Sequence, residues 1–155
     1  MRYHKYVLFA AMLLMGSVVW ANHSLNPIVA PKEAGKGINF IEGEWKKAMA
    51  KAKKENKLIF IDAYATWCGP CKRMQQDVFP NPAVAEFFNK NFVNITIDVE
   101  KGEGIAFAQT YGVEVLPTLF ITDANGKPIT YAKGYIPADQ LLKFGQFGQS
   151  KAPIK

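Results

Sequence analysis

The segment Trp67-Cys68-Gly69-Pro70-Cys71-Lys72 says most about this chain, because it places its only two cysteines two residues apart. The run before it, residues 58–65, is apolar and rich in strand formers and predicts a buried strand. Residues 72–79 predict a helix, so Cys68 falls where that helix begins. The unpaired N–H groups and partial positive charge of a helix start stabilise an anion such as a thiolate.

This spacing predicts a redox-active dithiol. Only a thiolate attacks a disulfide, and a cysteine at a helix start in a Cys-X-X-Cys motif commonly has a lowered pKa. We expect Cys68 to be the nucleophile. Cys71, one helical turn later, is expected to resolve the mixed disulfide. Pro70 suits the first helical turn and stiffens the loop between the two sulfurs.

Other uses of two cysteines fit the sequence less well. A structural disulfide across so short a loop gains little entropic stabilisation. A structural zinc site needs four ligands, whereas the chain adds only His4 and His23, both close to the N-terminus. Lys72 follows Cys71 where c-type haem attachment requires histidine. We therefore expect neither a metal nor a cofactor.

Further motifs follow the dithiol in a characteristic order, and with it they make residues 38–147 resemble thioredoxin-fold proteins. More narrowly, the chain is similar to exported thioredoxin-like domains related to the C-terminal domain of the bacterial transmembrane thiol reductase. The resemblance implies an α/β thioredoxin fold, with a central mixed β-sheet flanked by helices and an added N-terminal helix. It is carried by the Trp67–Lys72 motif, by Asp62 six residues before Cys68, by residues 92–98, 111–113 and 116–121, and by Gly134.

The resemblance also implies a substrate-binding surface around the dithiol. It implies a cis Leu116–Pro117 bond that faces the dithiol and leaves backbone groups free to pair with an extended substrate. Trp67 is expected to form an apolar wall beside Cys68, or alternatively to fill the core. Gly134 is expected to let a substrate chain approach closely, or merely to end a strand. The predicted substrate-binding residues are Trp67, Gly69, Pro70, Leu116, Pro117 and Gly134.

Asp62 is unusual for a strand whose two faces are otherwise apolar. Phe60 and Tyr64 share its face, so we expect Asp62 to be buried, with a raised pKa, and to exchange a proton with Cys71. The alternative is an acid at a strand end that faces water. Thioredoxins often carry a lysine where this chain has Asn94, which leaves Asp62 without a predicted charge partner.

The remaining sequence predicts alternating helices and strands in one domain. Asn81-Pro82 supplies a cap and first position for a short helix, and Asn125-Gly126 is a strong hairpin signal. Helices are predicted at about 42–56, 68–79, 82–89 and 103–111 and after Pro137, and strands at about 57–65, 92–98, 118–122 and 129–133.

The N-terminus has a basic start and an apolar run, followed by small residues. These features predict a signal peptide over residues 1–21, a linker over 22–37, a thioredoxin-like domain over 38–148 and a tail over 149–155. The apolar run is shorter than the roughly 20 residues that a membrane span needs, although an uncleaved anchor remains the alternative. We expect a periplasmic or secreted protein.

The net charge is +6, and loss of Arg2 and Lys5 with the signal peptide lowers it to +4. Many lysines lie in residues 45–54, where apolar residues recur at helical spacing. This pattern favours an amphipathic helix with a solvated face over a docking face for anionic lipid or an acidic partner. Nothing in the sequence indicates nucleic-acid binding, and we expect a monomer.

The sequence thus favours an exported thiol:disulfide oxidoreductase that reduces protein disulfides, with a membrane thiol reductase as candidate electron donor. The Gly69-Pro70 pair, which resembles that of reducing thioredoxins, supports the reducing direction of electron flow. One alternative is a disulfide oxidase or isomerase. The other is a non-catalytic metallochaperone or assembly factor, for which Met74 would be the nearby soft ligand.

Overall fold

The computed structural model describes residues 37–151. The predicted signal peptide, the linker up to residue 36 and tail residues 152–155 lie outside the described residues. In chain order the elements are β1 (Phe40–Glu42), α1 (Trp45–Glu55), β2 (Leu58–Tyr64), α2 (Gly69–Arg73), a π-helical turn (Met74–Val78), α3 (Pro82–Asn91), β3 (Phe92–Asp98), α4 (Glu103–Tyr111), β4 (Thr118–Thr122), β5 (Pro128–Lys133) and α5 (Ala138–Ser150).

The five strands form one mixed sheet in the order β1-β3-β2-β4-β5. β1 and β2 run parallel to β3, whereas β4 runs antiparallel to both β2 and β5. Because β2 is the central strand, its C-terminal end lies in the middle of the sheet, and the dithiol follows directly after it. This topology confirms the mixed sheet that the resemblance implies.

Side chains alternate along β2 and build an apolar core on each face of the sheet. Ile59 and Ile61 face the core that includes Ala48 and Ala52 of α1. Phe60 faces the opposite core, whose other buried members are Met74, Val78, Phe79, Val84, Phe88, Phe92, Leu119, Ile121 and Leu141. Asp62 and Tyr64 share the face of Phe60, as predicted from the two-residue period of a strand.

The prediction for the first helix is wrong at its start, because Glu42 ends a strand that the sequence did not reveal. Residues 40–42 pair in parallel with Asn94–Thr96 of β3. Three residues are too few to show alternation. Gly43 then turns the chain with a positive φ of 65°, and α1 begins at Trp45.

The predicted helix at 68–79 forms as two segments. α2 ends at Arg73, and a π-helical turn follows in which the Phe79 N–H donates to the Met74 carbonyl at 2.9 Å. Asn81 caps α3 as predicted, since its Oδ1 accepts from the Ala83 and Val84 N–H groups.

The hairpin predicted at Asn125-Gly126 is confirmed, with the Asp123 carboxylate accepting from two N–H groups of the turn. The last helix, α5, reaches Ser150, two residues into the predicted tail. Among the helices of residues 37–151, none is long and apolar enough to cross a membrane.

Candidate active site

Cys68 and Cys71 form a disulfide at the start of α2, with their Cα atoms 5.3 Å apart. Cys68 is the N-cap residue of the helix, and its Sγ accepts a hydrogen bond from the Cys71 N–H at 3.2 Å. This N–H is one of the donors that a helix start leaves unpaired, so it faces whatever charge the sulfur carries. Cys71 is fully buried and Cys68 is 2% exposed. The predicted helix-start position of Cys68 is confirmed.

The local chain holds the dithiol from both sides. The Cys68 N–H donates to the Ala65 carbonyl at 3.1 Å, which turns the chain from β2 into α2. The Lys72 N–H donates to the Cys68 carbonyl at 3.2 Å and closes the first helical turn. Pro70 lies within that first turn, where its missing N–H leaves no helical bond unmade.

Trp67 lies on the surface and is not a core residue, since 67% of it is exposed. Its indole Nε1–H donates to Oε1 of Glu100 at 2.9 Å, which fixes the ring against the segment that follows β3. The sequence did not predict this contact. An exposed indole next to Cys68 presents a flat apolar surface at the groove.

The loop before β4 lies beside the dithiol and contains the predicted cis Leu116–Pro117 bond. The strand register explains the position of this loop. Ala63, near the end of β2, pairs with Thr118, which directly follows Pro117. The Pro117 carbonyl accepts from the Gly134 N–H at 2.7 Å. The Leu116 N–H and carbonyl make no hydrogen bond to another described residue, so both are available to an extended peptide.

Gly134 directly follows β5, which ends at Lys133, and leaves open space beside it. Its φ is 85°, a region that favours glycine, and a Cβ built at this position meets no atom within 4 Å. Both predicted roles of Gly134 are therefore compatible with its position.

A groove of about 340 Å³ and another of about 290 Å³ open on the protein, and the smaller one runs along the dithiol. This groove brings together five of the predicted residues, namely Trp67, Cys68, Gly69, Pro70 and Leu116. Pro117, Gly134, Cys71 and Asp62 do not line it. Val99, Val113 and Glu114 complete its walls, and sequence reasoning missed them as site residues, although residues 111–113 had contributed to the resemblance.

Asp62 is fully buried, so the alternative of an acid facing water is wrong. Neither of its carboxyl oxygens accepts a hydrogen bond from a described residue. Burial raises the pKa of Asp62 to about 7, because the low-polarity surroundings disfavour the charged form. Such a group gains and loses a proton near neutral pH, as a proton-transfer residue must.

Asn94 does not compensate for the lysine that the chain lacks. Its side-chain amide donates to the Phe88 carbonyl and to Oδ1 of Asn89, both at 3.3 Å. It therefore ties β3 to the end of α3 instead of bonding to Asp62. Burial is the cause of the raised pKa of Asp62.

The site has charged groups at its margins. Lys133 lies 3.6 Å from the Glu114 carboxylate that lines the groove, and the Arg73 guanidinium lies 5.0 Å from the centre of the Tyr135 ring. Within residues 37–151 no group of three or more His, Cys, Asp or Glu side chains is placed to hold a metal ion. The Cys68–Cys71 disulfide beside the groove supports thiol–disulfide exchange.

A family model described as a thioredoxin-like domain matches residues 45–149, well over half of the chain. The matched region contains the dithiol, Asp62, the cis-proline loop and Gly134.

Two curated relatives illustrate the match. Chloroplastic thioredoxin Y of Oryza sativa subsp. japonica is 40% identical over 90 residues, which make up 58% of this chain and 50% of that protein. The thiol:disulfide interchange protein DsbD of Vibrio vulnificus is 35% identical over 104 residues, which make up 64% of this chain and 17% of that protein. The chain thus spans half or less of the length of these relatives.

Solved structures extend the similarity over whole domains. A candidate disulphide-isomerase from Bacteroides thetaiotaomicron is 41% identical, with a TM-score of 0.66, covering 74% of this chain and 94% of that one. The oxidised C-terminal domain of DsbD from Neisseria meningitidis is 28% identical, with a TM-score of 0.54, covering 68% of this chain and 91% of that one.

Proposed function

The chain belongs to the thioredoxin-like domain family, and from this premise we propose that it is an exported thiol:disulfide oxidoreductase that reduces protein disulfides. The observation that carries the proposal is the Cys68–Cys71 disulfide at the start of α2, beside an open groove. Its relatives include thioredoxins and thiol:disulfide interchange proteins, which supports the same chemistry.

The reduced protein begins the reaction with a thiolate at Cys68, which attacks one sulfur of a substrate disulfide. A mixed disulfide forms, and the other substrate sulfur leaves as a thiolate. Cys71 then loses its proton and attacks the Cys68 sulfur, which releases the second substrate thiolate. The substrate gains two electrons, the dithiol loses two, and the product is the Cys68–Cys71 disulfide seen in the structure.

Asp62 serves as the proton carrier for Cys71 in this scheme. Its carboxylate accepts the Cys71 proton when the mixed disulfide is resolved, and its carboxylic acid returns a proton when the disulfide is reduced again. Complete burial and a pKa of about 7 support this role, because both protonation states are accessible near neutral pH.

The substrate chain lies in the groove beside the dithiol. Leu116 offers its free backbone groups to the substrate backbone, Trp67 offers an apolar wall, and Gly134 leaves open space. Gly69 and Pro70 form the floor next to Cys68, and Pro117 keeps the loop close to the dithiol. Glu114 adds a carboxylate to the same groove.

The sequence and the similarity to relatives support two further parts of the proposal, namely export of the protein and electron flow from the dithiol to the substrate. The predicted signal peptide over residues 1–21 supports export to the periplasm or beyond. An oxidising compartment requires an outside source of electrons, and similarity to the DsbD C-terminal domain supports a membrane thiol reductase as that source. The Gly69-Pro70 pair supports the reducing direction.

Catalysed reduction of insulin by dithiothreitol tests the proposal. We expect the wild-type protein to accelerate the reaction, and Cys68→Ser to abolish the acceleration. No acceleration by the wild type would contradict the reductase assignment.

A second candidate activity is disulfide isomerisation, favoured by the 41% identity to the candidate isomerase. Reactivation of scrambled ribonuclease distinguishes the two activities. An isomerase restores native ribonuclease without net reduction, whereas a reductase leaves it unfolded with free thiols.

A further inference from the structure

Three side chains with oxygen atoms lie in one row across the sheet, on the face of Asp62. Glu42 of β1 pairs with Thr96 of β3, and Thr96 pairs with Asp62 of β2. Paired residues on neighbouring parallel strands present their side chains on the same face. Because strands lie about 4.8 Å apart, Thr96 stands midway between two carboxyl groups whose backbones are roughly 10 Å apart.

Exposure decreases stepwise along this row. Glu42 is exposed, Thr96 is half-buried and Asp62 is fully buried. Glu42 and Thr96 both line the groove of about 340 Å³, which also meets Tyr64 and Gln75. Asp62 does not line it, whereas Thr96, its paired residue on β3, does.

The chemistry of the three groups suits proton transfer. A threonine hydroxyl donates one hydrogen bond and accepts others, so a proton can be received on one side and released on the other. The oxygens of Asp62 have no hydrogen-bond partner among the described residues, and Glu42 forms no ion pair with any of them. Both ends of the row are therefore available.

Other titratable groups on this face are less suited to the task. Tyr64 pairs with Asp98, and burial, followed by the carboxylates of Asp98 and Glu42, raises the pKa of its phenol above the usual value. The phenol therefore stays protonated at neutral pH. The Asp98 carboxylate is held at 2.9 Å by the Lys101 ammonium. Among the described residues that line the groove with Thr96, Glu42 is the one with a carboxyl group.

We propose that Thr96 and Glu42 form the route by which Asp62 exchanges its proton with solvent. The inference rests on the proposed role of Asp62 as proton carrier for Cys71. When Cys71 attacks the mixed disulfide, its proton passes to Asp62, then through the Thr96 hydroxyl and intervening water to Glu42, and finally to solvent. When the disulfide is reduced, one proton travels the same route inward to Asp62 and on to Cys71. Thr96 and Glu42 are positioning residues, because they act through Asp62.

Single-turnover oxidation of the reduced protein by oxidised glutathione tests this route with a substrate too small to need the docking groove. We expect Thr96→Val, which keeps the side-chain shape, to slow the resolving step about tenfold at pH 7, a fraction of what general acid–base catalysis contributes. Thr96→Ser, which keeps the hydroxyl, should stay within about twofold of the wild type. Equal slowing by Val and Ser would assign Thr96 to packing and overturn the proposal.

Glu42→Gln supplies the second arm of the test. We expect slowing of about threefold, and recovery when sodium formate is added, because a small carboxylate can enter the groove and accept the proton. The exposed Glu44 two residues later provides the matched control, and Glu44→Gln should neither slow the step nor respond to formate. Slowing that formate does not relieve would contradict the role of Glu42.

Asp62→Asn in the same assay separates the two proposals. A slow Asp62→Asn variant with unaffected Thr96→Val and Glu42→Gln variants would leave Asp62 as proton carrier and overturn the route. An unaffected Asp62→Asn variant would overturn both.

Discussion

Replacing Asp62 by asparagine should stabilise the oxidised protein at neutral and alkaline pH and leave its stability in acid nearly unchanged. In the folded protein burial raises the Asp62 pKa from 3.8 to about 7, whereas in the unfolded chain the group is solvated. Each pKa unit corresponds to about 1.36 kcal/mol, so ionising Asp62 in the folded state costs about 4 kcal/mol. Asparagine has a similar shape and carries no charge at any pH.

The sign follows from proton binding. Between pH 4 and 7 the folded wild type holds the Asp62 proton more tightly than the unfolded chain does, so its free energy of unfolding falls as pH rises through this window. Above pH 7 the whole penalty is present. The free energy of unfolding of Asp62→Asn should therefore exceed that of the wild type by little near pH 3.5 and by about 4 kcal/mol at pH 8. This difference is a large share of a typical stability of about 5–15 kcal/mol.

Urea unfolding of both oxidised proteins at pH 3.5, 5, 6, 7 and 8 measures this difference. Subtracting one variant from the other cancels the other titrating groups, and the disulfide keeps the cysteines from titrating. Any cost of burying the asparagine amide adds the same amount at every pH. A difference that stays flat within about 1 kcal/mol would refute the reasoning, because Asp62 would then ionise as readily in the folded protein as in water.

Further predictions concern the dithiol, the sheet face beside Asp62 and one glycine. In the reduced protein Cys68, at the start of α2, should react with iodoacetamide at pH 7 faster than Cys71, which lies inside the helix, and Cys71→Ser should accumulate mixed disulfides with substrates; equal labelling, or trapping by Cys68→Ser instead, would contradict the assignment of the two roles. Asn94→Lys places an ammonium on the Asp62 face, which should lower the pKa of Asp62. In that background the pH at which Asp62→Asn begins to raise the free energy of unfolding should fall by about one unit or more. An unchanged pH would mean that the cation does not reach Asp62. Gly104→Ala should cost more than about 2 kcal/mol in urea unfolding, because its Cβ would overlap the Asp98 carbonyl oxygen, whereas Gly69→Ala, with open space around its Cβ, should cost little; similar costs for both would contradict the packing seen at Gly104.

The sequence was most informative where one residue type has few structural uses. Two cysteines in a Cys-X-X-Cys pattern after an apolar strand predicted the helix start, and the structure places Cys68 there. Asp62 stood out because its strand neighbours are apolar, and the register of β2 buries it as expected. The position of Pro117 beside the dithiol came from the resemblance, since no local pattern locates a loop from one strand next to the end of another.

Features set by tertiary contacts could not be read in the same way. β1 has three residues, and only its pairing with β3 shows that Glu42 lies in a sheet. The hydrogen bond from Trp67 to Glu100 joins residues 33 positions apart, and neither residue type predicts the other. Val99 and Val113 read as ordinary apolar residues until the fold places them beside Cys68. The row from Glu42 through Thr96 to Asp62 likewise depends on strand register.

The reduction potential of the Cys68–Cys71 couple tests the central claim most directly. Purified protein is equilibrated with glutathione buffers of graded ratio, and the reduced fraction is measured by trapping free thiols. A reductase with a Gly-Pro pair between its cysteines should titrate near the thioredoxin value of about −270 mV. A potential above about −180 mV, in the range of the disulfide isomerases and oxidases, would contradict the reductase assignment.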